Sequence, residues 1–367
     1  MEAAPMKLRP NLGLTFDDVL LVPKRSSITS RSAVDTSTWL APGLRMAIPI
    51  VSANMDTVTE APMAVAMAQA GGIGIIHRFM SVERQAEAIR RVKRAESFIV
   101  ENPVTIAPEA SLDEARKKMA DSMIGGLVVT DMDGHLLGML TTRDVLLAPS
   151  PEARVASLMT PRDRLVVAPT NEPLDEARLT LHTNRLEKLP LVDEQDRVVG
   201  LITAQDIIKL QEHPRATKDA KGHLRVGMAV GVRPEDLGRA EACVQMGADV
   251  IVVDVAHGHA DHVLQMVKDI KSRIPGTPII AGNVATAQGV IDLAEAGASA
   301  VKVGVGSGSI CTTRIVTGFG VPQLTAIGDC AQAGKEMGVI IIADGGIRTS
   351  GDVTKALAAG ASSVMAG

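Results

Sequence analysis

The sequence predicts an α/β protein in which a (β/α)8 TIM barrel carries an inserted second domain. Eight short apolar runs end in polar or glycine residues, and amphipathic segments separate most of them. Apolar runs bounded by turn signals and separated by helices indicate a parallel sheet with crossover connections. An internal repeat interrupts the series after the second run, which indicates a domain inserted into the barrel.

The predicted strands are short runs dominated by Val, Ile, Ala and Gly. In chain order they are Ile48–Ala53, Gly72–Ile76, Val226–Val232, Val250–Val255, Pro278–Ala281, Ala300–Val303, Val339–Ala343 and Ser362–Met365. The helices predicted between them are Glu60–Ala70, Pro234–Met246, His262–Arg273, Ala287–Ala296, Gln323–Met337 and Ser350–Ala359. Eight such strands predict a closed barrel, whose active site lies where the strands end and the following loops begin.

Composition limits how the core is built and which partners the protein has. Hydrophobic residues make up 46% of the 367 residues, but aromatic residues only 1%, with no tyrosine. The core must therefore consist of Val, Ile, Leu, Ala and Met. The net charge of −4 is spread along the chain without a basic block. This argues against nucleic acid or an anionic membrane as the main partner.

Two further observations predict a cytoplasmic protein. No apolar run reaches transmembrane length, and Met1–Pro5 lacks the basic and apolar regions of a signal peptide. The three cysteines, Cys243, Cys311 and Cys330, are widely spaced, which suits a reducing compartment better than a disulfide framework.

The segment between the second and third predicted strands contains two similar halves. Leu127–Val145 matches Leu189–Ile207 at an offset of 62 residues. Repeats this similar imply a paired unit whose halves bury a shared face. The predicted boundaries assign residues 1–96 to the start of the barrel and residues 97–213 to the inserted domain, with halves at about 97–150 and 155–210. Residues 214–367 complete the barrel.

Both halves of the repeat carry the pattern Gly-x-x-Thr-x-x-Asp after a predicted strand. The pairs are Thr141 with Asp144, and Thr203 with Asp206. A threonine at this position can cap the helix that follows. The same two side chains could instead hydrogen-bond a nucleotide ribose. The sequence leaves both interpretations open.

The stretch Gly304–Arg314 combines alternate glycines with one cysteine. The glycines let the backbone approach a ligand closely, and the run can aim several N–H groups or carbonyls at one point. Cys311 follows, flanked by hydroxyls and by the cation Arg314, and a nearby positive charge favours the nucleophilic thiolate. The alternative is a glycine-rich loop around a structural cysteine. The position of this loop after the sixth predicted strand, where the active site of a barrel lies, favours a functional cysteine.

Two aspartates lie at the ends of predicted strands and should face the barrel mouth. Asp254 lies at the end of the fourth strand and Asp344 at the end of the seventh, where carboxylates can accept paired hydrogen bonds from ribose hydroxyls. The alternative is a solvated aspartate that opens a helix. Gly345 and Gly346 form a candidate phosphate loop, since a diglycine exposes N–H groups and the helix near Ser350 adds a positive dipole end.

Two other chemistries must be weighed at this mouth. His257, His259 and His262 lie close to Asp254, and a His-x-His pair at a strand end is typical of metal-dependent hydrolases. No histidine follows His262, so later strands cannot supply further ligands, and we interpret this segment as a polar loop. Lys302 is a candidate Schiff-base lysine, but that chemistry leaves the glycine loop without a purpose.

Motifs along essentially the whole chain resemble one family. They are LTFDDVLLVP (14–23), MDTVTE (55–60), GGIGIIHR (71–78), DVAHGH (254–259), AGNVAT (281–286), GSGSICTTR (306–314), VPQLTAI (321–327) and ADGGIR (343–348). Together they resemble the IMP dehydrogenase branch of the IMP dehydrogenase/GMP reductase family. The inserted repeat resembles a tandem pair of CBS domains (a Bateman domain), a regulatory module that often binds adenine or guanine nucleotides.

The resemblance implies the oxidation of IMP to XMP with NAD, the branch point toward guanine nucleotides. Cys311 would attack C2 of the hypoxanthine, hydride would leave to NAD, and the covalent thioimidate would be hydrolysed by a water that Thr313 helps to position. The positions that match the IMP-binding residues of the family are Ser309, Gly345, Gly346 and Gly367 for the phosphate, Asp344 for the ribose and Met55 for the purine.

The resemblance also implies a cofactor, an ion and an assembly. The positions on the NAD side are Asp254, Asn283, Gly304, Val305 and Gly306. The carbonyls of Gly306, Gly308 and Cys311 would ligate a potassium ion, consistent with the preference of hard cations for oxygen. The family forms homotetramers.

GMP reductase, which reduces GMP with NADPH, is the alternative within the family. It shares the cysteine loop, and Asn54 and the DVA of 254–256 lean toward it. The DTVTE of 56–60, with Ile315-Val316 and Val321-Pro322, leans toward the dehydrogenase.

The chain stops at Gly367, where the eighth predicted strand ends. The last crossover helix and the mobile flap of the family would follow this point. We therefore expect a C-terminally incomplete form, with exposed apolar surface on its outer strands, that forms the thioimidate but hydrolyses it poorly. The alternative from another class is a non-catalytic nucleotide sensor built on the CBS pair.

Overall fold

The protein is described by a computed structural model that covers residues 12–96, 99–122, 124–150, 152–170, 172–205, 207–208 and 213–367. These residues form two compact units. One contains the chain up to Ala95 together with Arg215–Asp219 and His223–Gly367. The other contains Glu96–Pro214 and Ala220–Gly222.

The first unit is a closed barrel of eight parallel strands, which confirms the predicted fold class. The first to eighth barrel strands are Ile50–Ser52, Ile73–Ile76, Val226–Val230, Val250–Asp254, Ile279–Val284, Ala300–Val303, Ile340–Asp344 and Ser363–Ala366. The eighth strand pairs with the first, with Met365 opposite Val51, and this pairing closes the barrel.

The fifth barrel strand differs most from its prediction. The apolar run predicts an end at Ala281, but pairing with the sixth strand continues to Val284 through a register shift after Gly282. The close approach of the two strands requires glycine there, because a Cβ on Gly282 would lie 2.6 Å from the Lys302 carbonyl oxygen. The extension brings Asn283 to the barrel mouth.

Helices connect successive strands of the barrel, as expected for parallel pairs. They are Ala61–Gln69, Val82–Ala95, Pro234–Gln245, Asp261–Arg273, Ala287–Ala296, Gln323–Met337 and Ser350–Ala358, with a short helix Thr313–Thr317 and 3-10 turns Phe16–Asp18 and Arg31–Ala33. Val82–Ala95 was not predicted. Its buried face contains Gln85 beside Ile89 and Val92, and this polar residue interrupts the apolar periodicity.

The barrel strands bury aliphatic side chains in two layers. Along the fourth strand, Val250 and Val252 belong to an inner cluster, while Ile251 and Val253 belong to an outer one. This alternation follows from the two-residue period of a strand. The inner cluster fills the barrel, and the outer cluster includes residues of the surrounding helices. Aliphatic residues dominate both layers, as the composition predicts.

A β-hairpin precedes the barrel and covers the amino-terminal ends of its strands. Its strands Thr38–Ala41 and Leu44–Met46 pair antiparallel, and Leu44 packs into the inner cluster. The hydroxyl of its first residue donates to the carbonyl of Ser362, just before the eighth barrel strand, over 2.9 Å. Trp39, the single tryptophan of the sequence, is 51% exposed on this hairpin.

The second unit folds as two similar halves, each with a four-stranded sheet. The strands of one sheet are Thr105–Ile106, Gly126–Thr130, Leu136–Thr141 and Thr160–Pro161, and those of the other are Ile99–Val100, Ala168–Pro169, Lys188–Val192 and Val198–Thr203. Its described helices are Leu112–Ser122, Thr142–Leu146, Val155–Leu158 and Leu174–Asn184, with a 3-10 turn Arg162–Arg164. The two longest helices start 62 residues apart, the offset of the sequence repeat.

The halves of the second unit share an apolar face, as the repeat predicts. Val128, Leu136 and Met139 of the first half join Leu201 of the second in one buried cluster. The apolar strand faces thus pack against each other across the repeat.

Among the described residues of the whole chain, no helix is long and apolar enough to cross a membrane.

Candidate active site

A buried lysine joins two carboxylates at the mouth of the barrel. Lys302, on the sixth strand, places its Nζ 2.6 Å from Asp254 Oδ1 and 2.8 Å from Asp344 Oδ2. The side chain of Lys302 is 2% exposed, whereas those of Asp254 and Asp344 are 27% and 20% exposed. The two aspartates end the fourth and seventh strands, as predicted, so solvent reaches them at the carboxyl ends of the strands.

The electrostatics of this cluster keep Lys302 and Asp254 charged at neutral pH. Burial alone would lower the pKa of Lys302, but the negative charges of Asp344 and Asp254 raise it above its usual range. Burial would likewise raise the pKa of Asp254, but the charge and hydrogen bond of Lys302 hold it below its usual value. A Schiff-base lysine needs a neutral amine, so this arrangement argues against that alternative.

Two asparagines fix the orientation of the carboxylates. Asn54 Nδ2 donates to Asp254 Oδ2 over 2.8 Å, and Asn283 Nδ2 donates to Asp344 Oδ2 over 2.9 Å. Asn283 Nδ2 also donates to the carbonyl of Gly304 over 2.9 Å. At Asp344 both the lysine and the asparagine contact Oδ2, so Oδ1 accepts none of these bonds. A carboxylate oxygen with free lone pairs can accept hydroxyl donors from a ligand.

The glycine-rich loop packs tightly on the neighbouring seventh strand. A Cβ on Gly304 would overlap the carbonyl oxygen of Asp344, and a Cβ on Gly306 would lie 2.6 Å from Arg314 Cγ. Gly306 also has a left-handed φ of 73°. The spacing of these glycines predicts the close approach of a ligand, but the structure shows that they admit the protein's own backbone and Arg314.

Cys311 has the features of a reactive thiol. The Cys311 thiol donates to Thr313 Oγ1 over 3.2 Å, and the same hydroxyl can donate to the sulfur once the thiol ionises. This contact and one with the Thr313 backbone lower the pKa of Cys311, with smaller effects from the Gly306 backbone and the Arg314 charge. Cys311 is half-buried. By contrast, burial raises the pKa of Cys243 to about 12, and Cys330 is also buried. Cys311 is therefore the thiol suited to nucleophilic attack.

The diglycine turn lies directly against the cysteine loop. Gly345 and Gly346 have left-handed φ angles of 98° and 76°. A Cβ on Gly345 would lie 2.5 Å from Ser307 Oγ and 3.1 Å from Gly308 N. Glycine is required at this position because any side chain would push the two loops apart. The loop that holds Cys311 and the turn that follows Asp344 thus form one contiguous surface.

The helix after the diglycine turn already has a negative group at its first turn. Asp352 Oδ2 accepts the N–H groups of Arg348 and Thr349 over 3.0 and 2.9 Å. The predicted positive dipole end near Ser350 is therefore partly compensated by Asp352.

The remaining predicted site positions form two groups at the barrel mouth. One group lies beside the inner cluster, and the other lies on the cysteine loop. A Cβ on Gly367 would lie 3.0 Å from Met55 Sδ, so these two predicted positions are adjacent. Met55 is half-buried against the inner cluster. Ser309 is exposed and Val305 half-buried on the cysteine loop.

Among the described residues, the histidines of the segment 257–262 do not form a group of metal ligands. His259 Nε2 lies 2.6 Å from Asp292 Oδ2 on the following helix. In the described part of the chain, the one group with ligand atoms close enough for a metal ion is Asp131, Asp133 and His135, in a surface turn of the second unit.

The Thr/Asp pattern forms a helix cap in the one half where both of its residues are described. Thr141 Oγ1 donates to Asp144 Oδ2 over 2.6 Å, and the same oxygen accepts the Thr141 N–H over 2.8 Å. This capping box begins the helix Thr142–Leu146. Thr203 ends its strand, and Asp206 lies outside the described residues.

Sequence reasoning missed five contacts at the barrel mouth. They are the two ion pairs of Lys302, the bond from Asn54 to Asp254, and a buried Gln323 whose Nε2 donates to the carbonyls of Val303 and Asp344. A lysine inside an otherwise apolar strand was the available signal, since a buried charge needs a partner.

The fold is that of a (β/α)8-barrel protein, and its site combines a thiol of lowered pKa with two partly exposed carboxylates. A family model described as "IMP dehydrogenase / GMP reductase domain" matches residues 13–367. The chain belongs to the IMP dehydrogenase/GMP reductase family and is an oxidoreductase.

Individual relatives agree with this assignment. Inosine-5'-monophosphate dehydrogenase of Nitrosopumilus maritimus is 55% identical over 355 residues, which cover 97% of this chain and 74% of the relative. The Aquifex aeolicus enzyme of the same name is 52% identical over 97% of this chain and 72% of its own. A solved GMP reductase variant of Trypanosoma brucei, in complex with guanosine 5'-monophosphate, is 45% identical. It superposes with a TM-score of 0.84 over 97% of this chain and 76% of that one.

Proposed function

We propose that this protein oxidises IMP to XMP with NAD through a covalent intermediate on Cys311. The observation that carries the proposal is a thiol of lowered pKa on a loop that packs against the Asp344–Gly346 turn. A nucleophile beside two partly exposed carboxylates suits a site for ligands that contain ribose. The identity to named IMP dehydrogenases supports this reaction over others of the family.

The reaction we propose has two steps, the oxidation of IMP to a thioimidate on Cys311 and the hydrolysis of that thioimidate. The Cys311 thiolate attacks C2 of the hypoxanthine, a C–S bond forms, and C2 loses hydride to the oxidised cofactor. Water then adds to C2 of the thioimidate and the C–S bond breaks. One proton of the water stays with XMP, and the other returns the Cys311 sulfur to the thiol, which must lose it again before the next cycle. A covalent nucleophile splits one difficult oxidation into two easier steps. Thr313, 3.2 Å from the sulfur, is near enough to orient that water.

We assign the three parts of the nucleotide substrate, its ribose, purine and phosphate, to different residues of the barrel mouth. Asp344 would accept the ribose hydroxyls, since its Oδ1 is free of the side-chain bonds that hold Oδ2. The purine would pack on Met55, which is half-buried beside Gly367. The phosphate would take N–H groups of the diglycine turn, with the positions Ser309, Gly345, Gly346 and Gly367 around it.

The residues around Asp254, the second carboxylate bound by Lys302, would hold NAD, which would supply the hydride acceptor. Asp254 is partly exposed, and Lys302 and Asn54 hold it ionised and oriented, as an acceptor of ribose hydroxyls requires. Asn283 Oδ1 is buried without a partner among the described residues, so an amide acceptor is available beside the glycine loop. The further NAD positions in the proposal are Gly304, Val305 and Gly306.

A potassium ion is the third ligand in the proposal. The donor set would be the backbone carbonyls of Gly306, Gly308 and Cys311, which is the oxygen chemistry that hard cations prefer. The Gly308 carbonyl accepts the Cys311 N–H over 3.1 Å, and a carbonyl oxygen retains a second lone pair for an ion.

The second unit would be a tandem CBS pair that binds adenine or guanine nucleotide. The two related halves with a shared apolar face support that proposal. Thr141 and Asp144 would have to exchange part of their capping bonds for ribose contacts. We further propose a cytoplasmic homotetramer that acts in guanine-nucleotide synthesis, as the family resemblance implies.

Mass spectrometry of the protein incubated with IMP and NAD tests the proposed function. We expect a covalent nucleotide adduct on the peptide that contains Cys311, formation of NADH, and no adduct on the peptides of Cys243 or Cys330. The Cys311→Ser variant should show neither adduct nor NADH. Oxidation of NADPH with GMP instead would identify the reductase, and nucleotide binding without either reaction would identify a non-catalytic sensor.

A further inference from the structure

One buried glutamine connects the two strands that carry the candidate site. Gln323 is 2% exposed and begins the helix Gln323–Met337. Its Nε2 donates to the carbonyl of Val303, at the end of the sixth strand, over 2.8 Å. It also donates to the carbonyl of Asp344, at the end of the seventh strand, over 3.1 Å. The amide therefore ties together the starting points of the cysteine loop and the diglycine turn.

The carbonyl oxygen of Asp344 is the point where these contacts meet. Besides the bond from Gln323, it accepts the hydroxyl of Ser307 over 3.2 Å. The absence of a side chain at Gly304 leaves the room that this oxygen needs. Two donors and one close backbone neighbour thus hold the oxygen in a single direction.

The direction of this carbonyl determines where the next N–H points. The Asp344–Gly345 peptide is trans, and in a planar trans peptide the C=O and N–H groups point in opposite directions. An oxygen held toward Gln323 and Ser307 therefore directs the Gly345 N–H away from them. The left-handed φ angles of Gly345 and Gly346 continue the turn from that fixed peptide.

We propose that Gln323 is a positioning residue that orients the diglycine turn for the nucleotide phosphate. The inference rests on the proposed function, which assigns the phosphate to this turn. Gln323 does not have to touch the ligand, because it acts through the peptide between Asp344 and Gly345. Preorganised N–H groups bind an anion better than mobile ones, since no ordering free energy is lost on binding.

The chemistry of the amide explains why glutamine is suited to this position. Both bonds use its Nε2, and the buried Oε1 has no partner in the described part of the chain. A glutamate would place an acceptor against two carbonyl oxygens, and a methionine would keep the volume but lose both donors. Either change releases the Asp344 carbonyl from one of its two side-chain donors.

Binding of IMP and of inosine, the same nucleoside without the phosphate, tests the inference by calorimetry on the full chain without cofactor. In Gln323→Met we expect the dissociation constant for IMP to rise about 3- to 10-fold, as for the loss of one hydrogen bond. The constant for inosine should change by less than about twofold. Gln323→Glu should weaken IMP binding further, and Ser307→Ala should shift it in the same direction.

Gln332→Met is the matched control, because Gln332 lies exposed on the same helix and donates to Glu336. It should leave both constants unchanged. Equal loss of IMP and inosine affinity in the Gln323 variants, or no loss of either, overturns the inference. If the Gln323 variants do not fold, Ser307→Ala alone decides by the same IMP-to-inosine comparison. A wild-type protein that binds IMP no better than inosine overturns the phosphate assignment of the proposed function as well.

Discussion

Lys302 and Cys311 show how single residues acquire their chemistry from neighbours distant in sequence. The lysine is charged because Asp254 and Asp344 lie within 2.8 Å of its nitrogen. The pKa of the cysteine is lowered because the side chain and backbone of Thr313 lie within hydrogen-bond reach of its sulfur. Thr313 lies only two residues from Cys311 in the chain, so the local sequence could indicate a thiolate. The partners of Lys302 lie 48 and 42 residues away, and only the closed barrel brings them together.

The pKa of Cys311 leads to a testable pH dependence. Because the pKa lies below the usual thiol value, alkylation of Cys311 by iodoacetamide should reach its half-maximal rate at a lower pH than a free cysteine. Thr313→Val removes the largest cause of the shift and should move the profile to higher pH. The rate near pH 7 should fall about 2- to 10-fold, as for the loss of one hydrogen bond.

The control for this profile is Thr317→Val on the same short helix. Thr317 Oγ1 donates to the Thr313 carbonyl and not to the sulfur, so its loss should leave the profile in place. Cys311→Ser gives the background from the two buried cysteines. A Thr313→Val profile that coincides with the wild type would show that the hydroxyl does not activate the thiol.

At the scale of elements, the site depends on how closely two loops pack. The predicted strand ends placed Asp254 and Asp344 correctly, because apolar runs stop where side chains reach solvent. The extension of the fifth strand to Val284 was not predictable, since it depends on Gly282 approaching the Lys302 backbone. The bond from Asn283 to Asp344 follows from that extension. Short-range patterns therefore locate strand ends, and packing between strands decides which side chains meet there.

Gly304→Ala tests the packing of the cysteine loop on the seventh strand. The added Cβ overlaps the Asp344 carbonyl oxygen, so the loop or the turn must move. We expect adduct formation on Cys311 to slow by about 100-fold or more, because displacement of reacting groups by about 1 Å costs this much. The free energy of unfolding of the barrel should fall by about 1–3 kcal/mol.

Gly328→Ala is the matched control, since a Cβ there meets nothing within 4 Å on the helix Gln323–Met337. It should leave the adduct rate unchanged and stabilise that helix by about 0.5–1 kcal/mol. An adduct rate in Gly304→Ala equal to that of the control would contradict the view that the loop and the turn form one surface.

At the scale of the whole molecule, the chain must leave the barrel and return to it. Lys93, at the end of the helix before the second unit, lies 3.0 Å from Asp219 and 2.8 Å from Asp249. Asp219 belongs to the returning segment of the barrel unit. Sequence patterning predicted that a domain is inserted here, because a repeat interrupts the barrel series. It did not predict the ion pairs that hold the departing and returning segments on the barrel.

Asp219→Asn tests this anchor through the pH dependence of stability. Burial would raise the pKa of Asp219, but His223 and Lys93 hold it well below its usual value. A depressed pKa contributes stability that is present above the unfolded value, near 3.9, and is lost as the pH falls through the folded one. The variant should lose about 1.5–3 kcal/mol of unfolding free energy at pH 7 and show a shallower decline below pH 4.

Denaturant unfolding of the wild type and the variant at pH 7 and pH 3 measures both effects. Asp269→Asn is the control, since Asp269 is half-buried on a barrel helix and accepts only an exposed hydrogen bond from Gln265, one turn earlier. It should leave stability within about 0.5 kcal/mol. If Asp219→Asn unfolds like this control at both pH values, the ion pairs with Lys93 do not stabilise the barrel.

The position of Trp39 has a spectroscopic consequence. The sequence has one tryptophan and no tyrosine, and the tryptophan lies on the hairpin at the amino-terminal ends of the strands. Intrinsic fluorescence excited near 295 nm therefore reports on that hairpin, and the barrel mouth contributes no emission of its own. A fluorophore attached to Cys311 would report on the opposite end. The two ends of one barrel can thus be followed independently in a single unfolding experiment.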